Sequence, residues 1–247
     1  MKLFDHTFPS PAENLACEEA CLDARDENGG EEILRFWEAR DTFVVVGYAN
    51  KVATEVNVAA CAAQKIPILR RCSGGGTVLQ GRGCLNYALI LRLMDDGPLR
   101  TITSANEFIM EKNRVAIDSL FSRSESGNRR LEISVSGHTD LALGDRKFSG
   151  NSQRRMKNFL LFHGAFLLNF DLARVSEFLR MPSLQPDYRA GRSHDEFLVN
   201  LNLPAAQVKA ALQKAWGATE SLTDFPREEI QNLAAQKYST DEWNLKL

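Results

Sequence analysis

No apolar run in the 247 residues approaches the ~18–20 that a membrane-spanning helix needs, so a membrane is not an expected partner. The opening Met1-Lys2-Leu3-Phe4-Asp5-His6 lacks the apolar stretch of a secretory leader. Cysteine is scarce and unpatterned: Cys17, Cys21, Cys61, Cys72 and Cys84 are odd in number and form no CxxC. That argues against a disulfide framework and a four-ligand zinc site, and free thiols suit a reducing cytoplasm. Excess charge of one sign is missing too. With 30 basic and 32 acidic residues, a net charge of -2 and no long Lys/Arg run, the chain lacks the concentrated basic face that nucleic acid requires. There is no internal repeat, no low-complexity segment, no Walker loop and no GxGxxG fingerprint.

What is present suits one domain of ordinary size, expected over residues 1–191, and a short helical segment packed on it, residues 192–247. Ser10-Pro11-Ala12-Glu13 reads as a capped helix start, and the helix should run to Gly29-Gly30. Ile33–Trp37 and the unbroken apolar run Phe43–Val46 read as strands, the second buried on both faces. A short alanine-rich helix is expected at about 57–64, then a strand Ile68–Arg71 and a longer one, Leu85–Leu93. Ile102 to about Leu120 is the main amphipathic helix, followed by a polar loop, Ser122–Arg130. Leu131–Val135, Asp140–Leu143, Arg146–Gln153 and Phe159–Asn169 read as a meander, with Gly144-Asp145 as a two-residue turn. Pro204–Trp216 and Pro226–Lys237 read as helices. Strands and helices intermix without β-α-β alternation, which favours a mixed sheet flanked by helices.

Arg70-Arg71-Cys72-Ser73-Gly74-Gly75-Gly76-Thr77-Val78 carries the chemistry. Three glycines at a strand end let the backbone bend and approach a ligand, and unshielded amides cradle an anion. Guanidinium groups suit carboxylate and phosphate oxygens. The segment describes a site for a carboxylate or an acyl phosphate, with a plain glycine hinge as the alternative. Successive strand residues face opposite sides, so one of the two arginines should enter the site and the other be a surface residue.

The segment resembles the lipoate-binding loop of lipoate–protein ligases, and the resemblance extends in order along the chain. Asn14-Leu15-Ala16 with Glu18-Glu19-Ala20 is similar to the first helix of that family. Gly47-Tyr48-Ala49-Asn50, Glu55-Val56-Asn57 and Leu85-Asn86-Tyr87 match later segments. Ser136-Gly137-His138-Thr139-Asp140-Leu141 resembles Ser-Gly-x-Asn-Asp-Leu. Lys147-Phe148-Ser149-Gly150-Asn151-Ser152 resembles Lys-x-x-Gly-x-Ala, and His163-Gly164 opens a His-Gly-x-Leu-Leu-like segment. Leu198-Val199-Asn200-Leu201 resembles the end of the adenylate-binding loop.

The resemblance implies an α/β (α+β) catalytic domain of the biotin/lipoate ligase type, similar to class II tRNA synthetases. It implies lipoate or octanoate as substrate, ATP with Mg2+, and transfer through an acyl adenylate to a lysine of a lipoyl-domain or glycine-cleavage H-type carrier. Lys147 is the implied catalytic residue, beside the acyl–phosphate bond. Arg70 and the amides of Gly74, Gly75 and Gly76 would line the head of the acid, with Ser73 and Thr77 donating hydroxyls or capping the turn. Asn86 would bond the adenylate, or be a sheet-edge amide. Asp140 would bind the metal of MgATP, orient Lys147, or be a turn aspartate. Gly150 belongs to the lysine motif. His163 is counted with the site, although packing in the meander with a backbone bond is its ordinary alternative. Phe43–Val46, Leu89–Leu91 and Phe159–Leu161 would wall an acyl tunnel.

Two departures keep other readings open. Gln80-Gly81-Arg82-Gly83-Cys84 stands where these ligases carry His-Asp then Gly-Asn, and it resembles the His-Gly-x-Gly of octanoyltransferases. Those enzymes use a cysteine thiolate, but no cysteine follows Cys84, which ranks the ligase above the transferase. A binding or assembly factor without turnover is the non-enzymatic alternative. The second departure is the short C-terminal part, compatible with a separate accessory chain.

Overall fold

Strand pairing places most of the site residues on one surface. The computed structural model describes residues 1–121 and 132–247; the polar loop expected at Ser122–Arg130 lies outside the described residues. β1 (Lys2–Asp5) leads into α1 (Pro11–Asn28), where Ser10 Oγ accepts from the Glu13 amide and the Glu13 carboxylate reaches back to the Ser10 amide. The helix ends at Gly29, whose φ of 72° is left-handed. β2 (Ile33–Glu38) and β3 (Phe43–Val46) follow, and all four residues of β3 are buried, as the unbroken apolar run requires.

β3 does not join the large sheet. It is the middle of a separate three-stranded sheet between β4 (Ile68–Arg70) and β5 (Val78–Gln80), after the short helices α2 (Val52–Glu55) and α3 (Val58–Ala63). β6 (Cys84–Arg92), α4 (Ile102–Asp118), β7 (Ile133–Ser136), β8 (Asp140–Leu143), β9 (Arg146–Arg155) and β10 (Phe159–Leu167) complete the meander. Then come α5 (Ala173–Phe178), α6 (His194–Phe197), α7 (Ala205–Trp216), β11 (Glu220–Ser221), α8 (Arg227–Leu233) and α9 (Asp241–Asn244). The large sheet runs β11-β1-β2-β6-β10-β9-β8-β7, parallel at β11-β1-β2 and antiparallel elsewhere, a mixed sheet as expected.

Alternation on β6 splits the core. Ala88 and Ile90 point to the layer of α1 and α8, with Leu15, Leu22 and Ile230. Leu85, Leu89 and Leu91 point to the layer of α4 and α7, with Ile109, Ile117, Val208 and Leu212. The helix read at Pro226–Lys237 is α8 continued by one π-helical turn, Ala234–Tyr238. No helix among the described residues is long and apolar enough to cross a membrane.

Candidate functional site

One row of residues across the large sheet forms the floor of a cavity of about 870 Å³. Asp140 pairs with Gly150, Gly150 with Ala165, Ala165 with Asn86, and Asn86 with Trp37. Directly paired residues share a face, so the row presents Asp140 at one end, Trp37 at the other, and the small Gly150 and Ala165 between them. Strand spacing makes this trough roughly 19 Å long. Asn86 is not a sheet-edge amide: β6 is flanked by β2 and β10, the side chain is buried, and its Nδ2 has no partner among the described residues. The roof is the second sheet, which brings Val45, Val78, Leu79 and the glycine loop over the trough.

At the glycine loop the two arginines exchange their expected places. Arg71, not Arg70, lines the cavity. It follows the last residue of β4, where strict alternation has ended, and its Nη2 donates to the carbonyls of Gly74, at 2.5 Å, and Gly76, at 2.8 Å. Arg70 turns away and its Nη1 donates to the carbonyls of Gly47 (2.9 Å), Tyr48 (3.1 Å) and Asn50 (2.8 Å). Both guanidinium groups are buried, and neither forms an ion pair among the described residues. Burial lowers the Arg71 pKa to about 10, still charged at neutral pH. Gly75, Gly76 and Thr77 line the cavity; Ser73 and Gly74 do not. Gly75 has a φ of 84°, and a methyl at Gly47 would overlap its carbonyl oxygen, so two glycines are needed for this close approach.

Lys147 lies at the Asp140 end, its Nζ 2.8 Å from Asp140 Oδ1. A β-bulge puts it there. Leu141 pairs with Ser149 but Ala142 with Lys147, so Phe148 is an extra residue on β9 and turns into the opposite core. Without the bulge, Lys147 and Gly150, three apart on a strand, would face opposite sides. Gly150 makes the slot: a methyl there would lie 2.7 Å from both Cε and Nζ of Lys147. The Val199 amide donates to the Lys147 carbonyl at 3.0 Å and pins the strand. Asp140 Oδ2 accepts from the Tyr188 hydroxyl at 2.8 Å.

The other end is closed by Glu18 and His163. His163 Nδ1 lies 2.5 Å from Glu18 Oε2, and Nε2 lies 2.5 Å from Ser73 Oγ. His163 therefore bonds side chains and lines the cavity, where the ordinary expectation was a backbone bond. Glu18 also accepts from Trp37 Nε1 at 2.8 Å and pairs with Arg35 at 3.3 Å. Burial alone would raise the Glu18 carboxyl, but His163, Arg35 and Trp37 outweigh it and hold it below the ordinary range. The Ser-His-carboxylate order is that of a nucleophile, yet Ser73 does not line the cavity, and its Oγ also accepts from Arg71 Nε and contacts Ser152. It serves as a structural hub.

The expected tunnel walls need correction. Of Phe43–Val46, Leu89–Leu91 and Phe159–Leu161, Val45 alone lines the cavity. Leu91 pairs with Leu160 and Ile90 with Leu161 at the far end of their strands, away from the Asn86–Ala165 row, so these segments are core. Leu15, Trp37, Val78, Leu79 and Leu167 are lining residues instead. Glu18, Trp37 and Tyr188 were not among the sequence candidates. The adjacent glutamates Glu18 and Glu19 in a helix that buries both were the available signal; for Tyr188 there was none. All five cysteines are buried. Cys84 alone lines the cavity, with its thiol pushed up to about 12 by burial; burial pushes Cys72 to about 11.

The residues do not fit a protein-held metal ion. Among the described residues no three His, Cys, Asp or Glu side chains are grouped to hold one. Both oxygens of Asp140, the expected ligand, are engaged by Lys147 and Tyr188.

A mixed sheet with a trough lined by Lys147 and Asp140 at one end and by buried Glu18 and His163 at the other, roofed by a glycine loop, suits an acyl-activating or acyl-transferring catalytic domain. Residues 10–216 match the lipoyl protein ligase A/B catalytic domain family, and the chain belongs to it. It is 25% identical to octanoyltransferase LipM of Geobacillus kaustophilus, over 99% of this chain and 98% of that one. It is 28% identical to lipoate-protein ligase A subunit 1 of Thermoplasma acidophilum, over 89% and 86%. Among solved structures, a putative lipoate protein ligase from T. acidophilum with bound lipoic acid superposes with a TM-score of 0.77 at 25% identity, covering 100% and 99% of the chains. A lipoate-protein ligase A bound with ATP gives 0.76 at 25%, covering 99% and 98%. The chain is an enzyme of the lipoate ligase and octanoyltransferase family.

Proposed function

We propose that this enzyme is an ATP-dependent lipoate–protein ligase, acting on lipoate or octanoate. One contrast carries the reading: the trough presents a cation, Lys147, where charge would develop, and its only thiol, Cys84, is held protonated by burial. A thioester-fed transferase of the cysteine type needs a thiolate, and a thiol raised to about 12 supplies almost none at neutral pH.

In the proposed first step a carboxylate oxygen of the acid attacks the α-phosphorus of ATP. The bond to the bridging oxygen breaks and pyrophosphate leaves. In the second, the amine of a carrier lysine attacks the acyl carbonyl, AMP leaves, and the amine loses a proton. Both steps gather negative charge on oxygen, and preorganised donors in a site screened from water stabilise it. Lys147, held by Asp140 over Gly150, is the residue for that charge, and the amides of Gly75 and Gly76, which line the same cavity, are further donors. Arg71 acts through the loop: it ties the Gly74 and Gly76 carbonyls back and contributes a buried positive charge beneath the amides. Asn86, with its unpartnered Nδ2, offers a donor on the floor. The relatives with bound lipoic acid and bound ATP support these substrates.

The test feeds a lipoyl carrier domain two donors in parallel and follows its lysine by intact mass, with and without a second chain, since one relative is named a ligase subunit. Lipoylation that requires lipoate and ATP is the expected result. Modification from an octanoyl thioester without ATP would overturn the ligase reading in favour of the transferase.

A further inference from the structure

Arg70 is the hub of a clasp that reaches the glycine loop from the opposite end of the chain. β4 is an edge strand, paired only with β3. At Arg70 its free edge is bonded not by another strand but by two side chains of α9. Asn244 Oδ1 accepts from the Arg70 amide at 2.9 Å, and Trp243 Nε1 donates to the Arg70 carbonyl at 2.8 Å. Arg70 Nε donates back to the Trp243 carbonyl at 3.2 Å. The Arg70 guanidinium then gathers the three carbonyls of the 47–50 turn. That turn is tied to the glycine loop by the Tyr48 amide donating to Ser73 O at 2.9 Å and by Asn50 Nδ2 donating to Thr77 Oγ1 at 3.2 Å. Asn244 Nδ2 donates to the Tyr238 carbonyl at 2.9 Å, and the Tyr238 hydroxyl donates to Glu19 at 2.9 Å, so α9 is anchored to α1 beside Glu18.

We infer that Trp243 and Asn244 are positioning residues that hold the glycine loop in its ligand-ready shape through Arg70. Three features carry this. Arg70 has no ion-pair partner among the described residues, so its buried charge is placed by carbonyls alone and depends on their being held in position. The 73–77 segment forms no strand or helix of its own, so its shape comes from neighbours. And the π-helical turn before α9, an uncommon conformation frequent at functional sites, sets where Tyr238 and the α9 side chains point. The link from loop shape to binding of the acid rests on the ligase reading; the clasp itself does not.

The test reads the loop without any ligand. Amide hydrogen exchange by mass spectrometry is compared in the full chain and in Trp243→Phe, Asn244→Leu and, as a control away from Arg70, Leu245→Ala. Exchange over residues 47–50 and 70–71, whose amides donate to Ser73, Gly47, Asn244 and Val46, should rise about tenfold or more in the first two variants, with β6 and β10 unchanged and the control like wild type. Unchanged protection of both segments in a folded variant overturns the inference, and so does a rise spread evenly over the chain, the mark of a merely structural role. Should Asn244→Leu not fold, Trp243→Phe decides alone, since it keeps an aromatic ring and removes the N–H donor. With lipoate as substrate, KM should rise more than kcat falls. If the exchange result holds and no lipoate activity is found in wild type, the ligase reading has failed and the clasp stands.

Discussion

The two ends of the trough are built in opposite ways. At the Lys147 end the lysine is partly exposed, sits on a bulged strand beside a glycine, and meets one carboxylate, which in turn accepts from a tyrosine of a single 3-10 turn, Asp187–Arg189. At the Glu18 end every polar group is buried and each answers several others: Glu18 serves Arg35, Trp37 and His163, and His163 serves Ser73. A group with few packed neighbours can change without the fold changing; a group in a buried network cannot. On the proposed reading chemistry is placed where the structure tolerates change, and the closed end where the core fixes its shape.

The comparison can be broken from either side. Lys147→Ala should lower the rate of acyl transfer by about 10²–10³-fold, while calorimetry finds the melting temperature almost unchanged; a large loss of stability would place Lys147 in the core network instead. Gly150→Ala should cost activity by about 10²-fold, the scale of a 1 Å misplacement, because the new methyl displaces the Lys147 ammonium, whose flexible stem spares the fold. Glu18→Ala should do the reverse. Leaving Arg35 buried without its carboxylate should cost about 3–5 kcal/mol and lower the melting temperature by roughly 10 °C, in an assay that needs no substrate.

Smaller effects sharpen the same contrast. For Glu19, burial favours the neutral acid but Lys237 and Arg154 outweigh it, and its pKa is held low like that of Glu18. A carboxylate with a depressed folded pKa contributes stability that is present above the unfolded pKa and lost as pH falls through the folded one. Melting temperature should thus be insensitive to these groups above roughly pH 5 and fall below about pH 4, and Glu19→Gln should flatten the descent while lowering its plateau. The smallest effect belongs to the thiols. Cys72→Ser and Cys84→Ser should retain transfer activity; complete loss in a folded Cys84→Ser protein would revive a thiol mechanism.

Much of this was legible in the residues, and the failures have physical causes. The capped α1, the apolar β3 and the Gly144-Asp145 hairpin are local and read directly. The resemblance named Lys147 and Gly150 together, but the face they share depends on the Phe148 bulge, which the alternation rule does not foresee. Alternation separated Arg70 from Arg71 correctly, but it does not say which of the two enters the cavity, and the resemblance pointed to Arg70 where the structure has Arg71. β1, β5 and β11 have four residues or fewer, too short for a period to show, and exist because a partner strand or a neighbouring layer holds them. Trp37 and Tyr188 join the site from distant parts of the chain, so only tertiary packing reveals them, and the adjacent glutamates Glu18 and Glu19 were the one local sign of the closed end.

The most direct test of the central claim is exchange of labelled pyrophosphate into ATP by the purified chain, with lipoate or octanoate and no carrier protein. The account predicts exchange that depends on the acid and disappears in Lys147→Ala. An enzyme that transfers acyl groups to a carrier yet shows no acid-dependent exchange would contradict it.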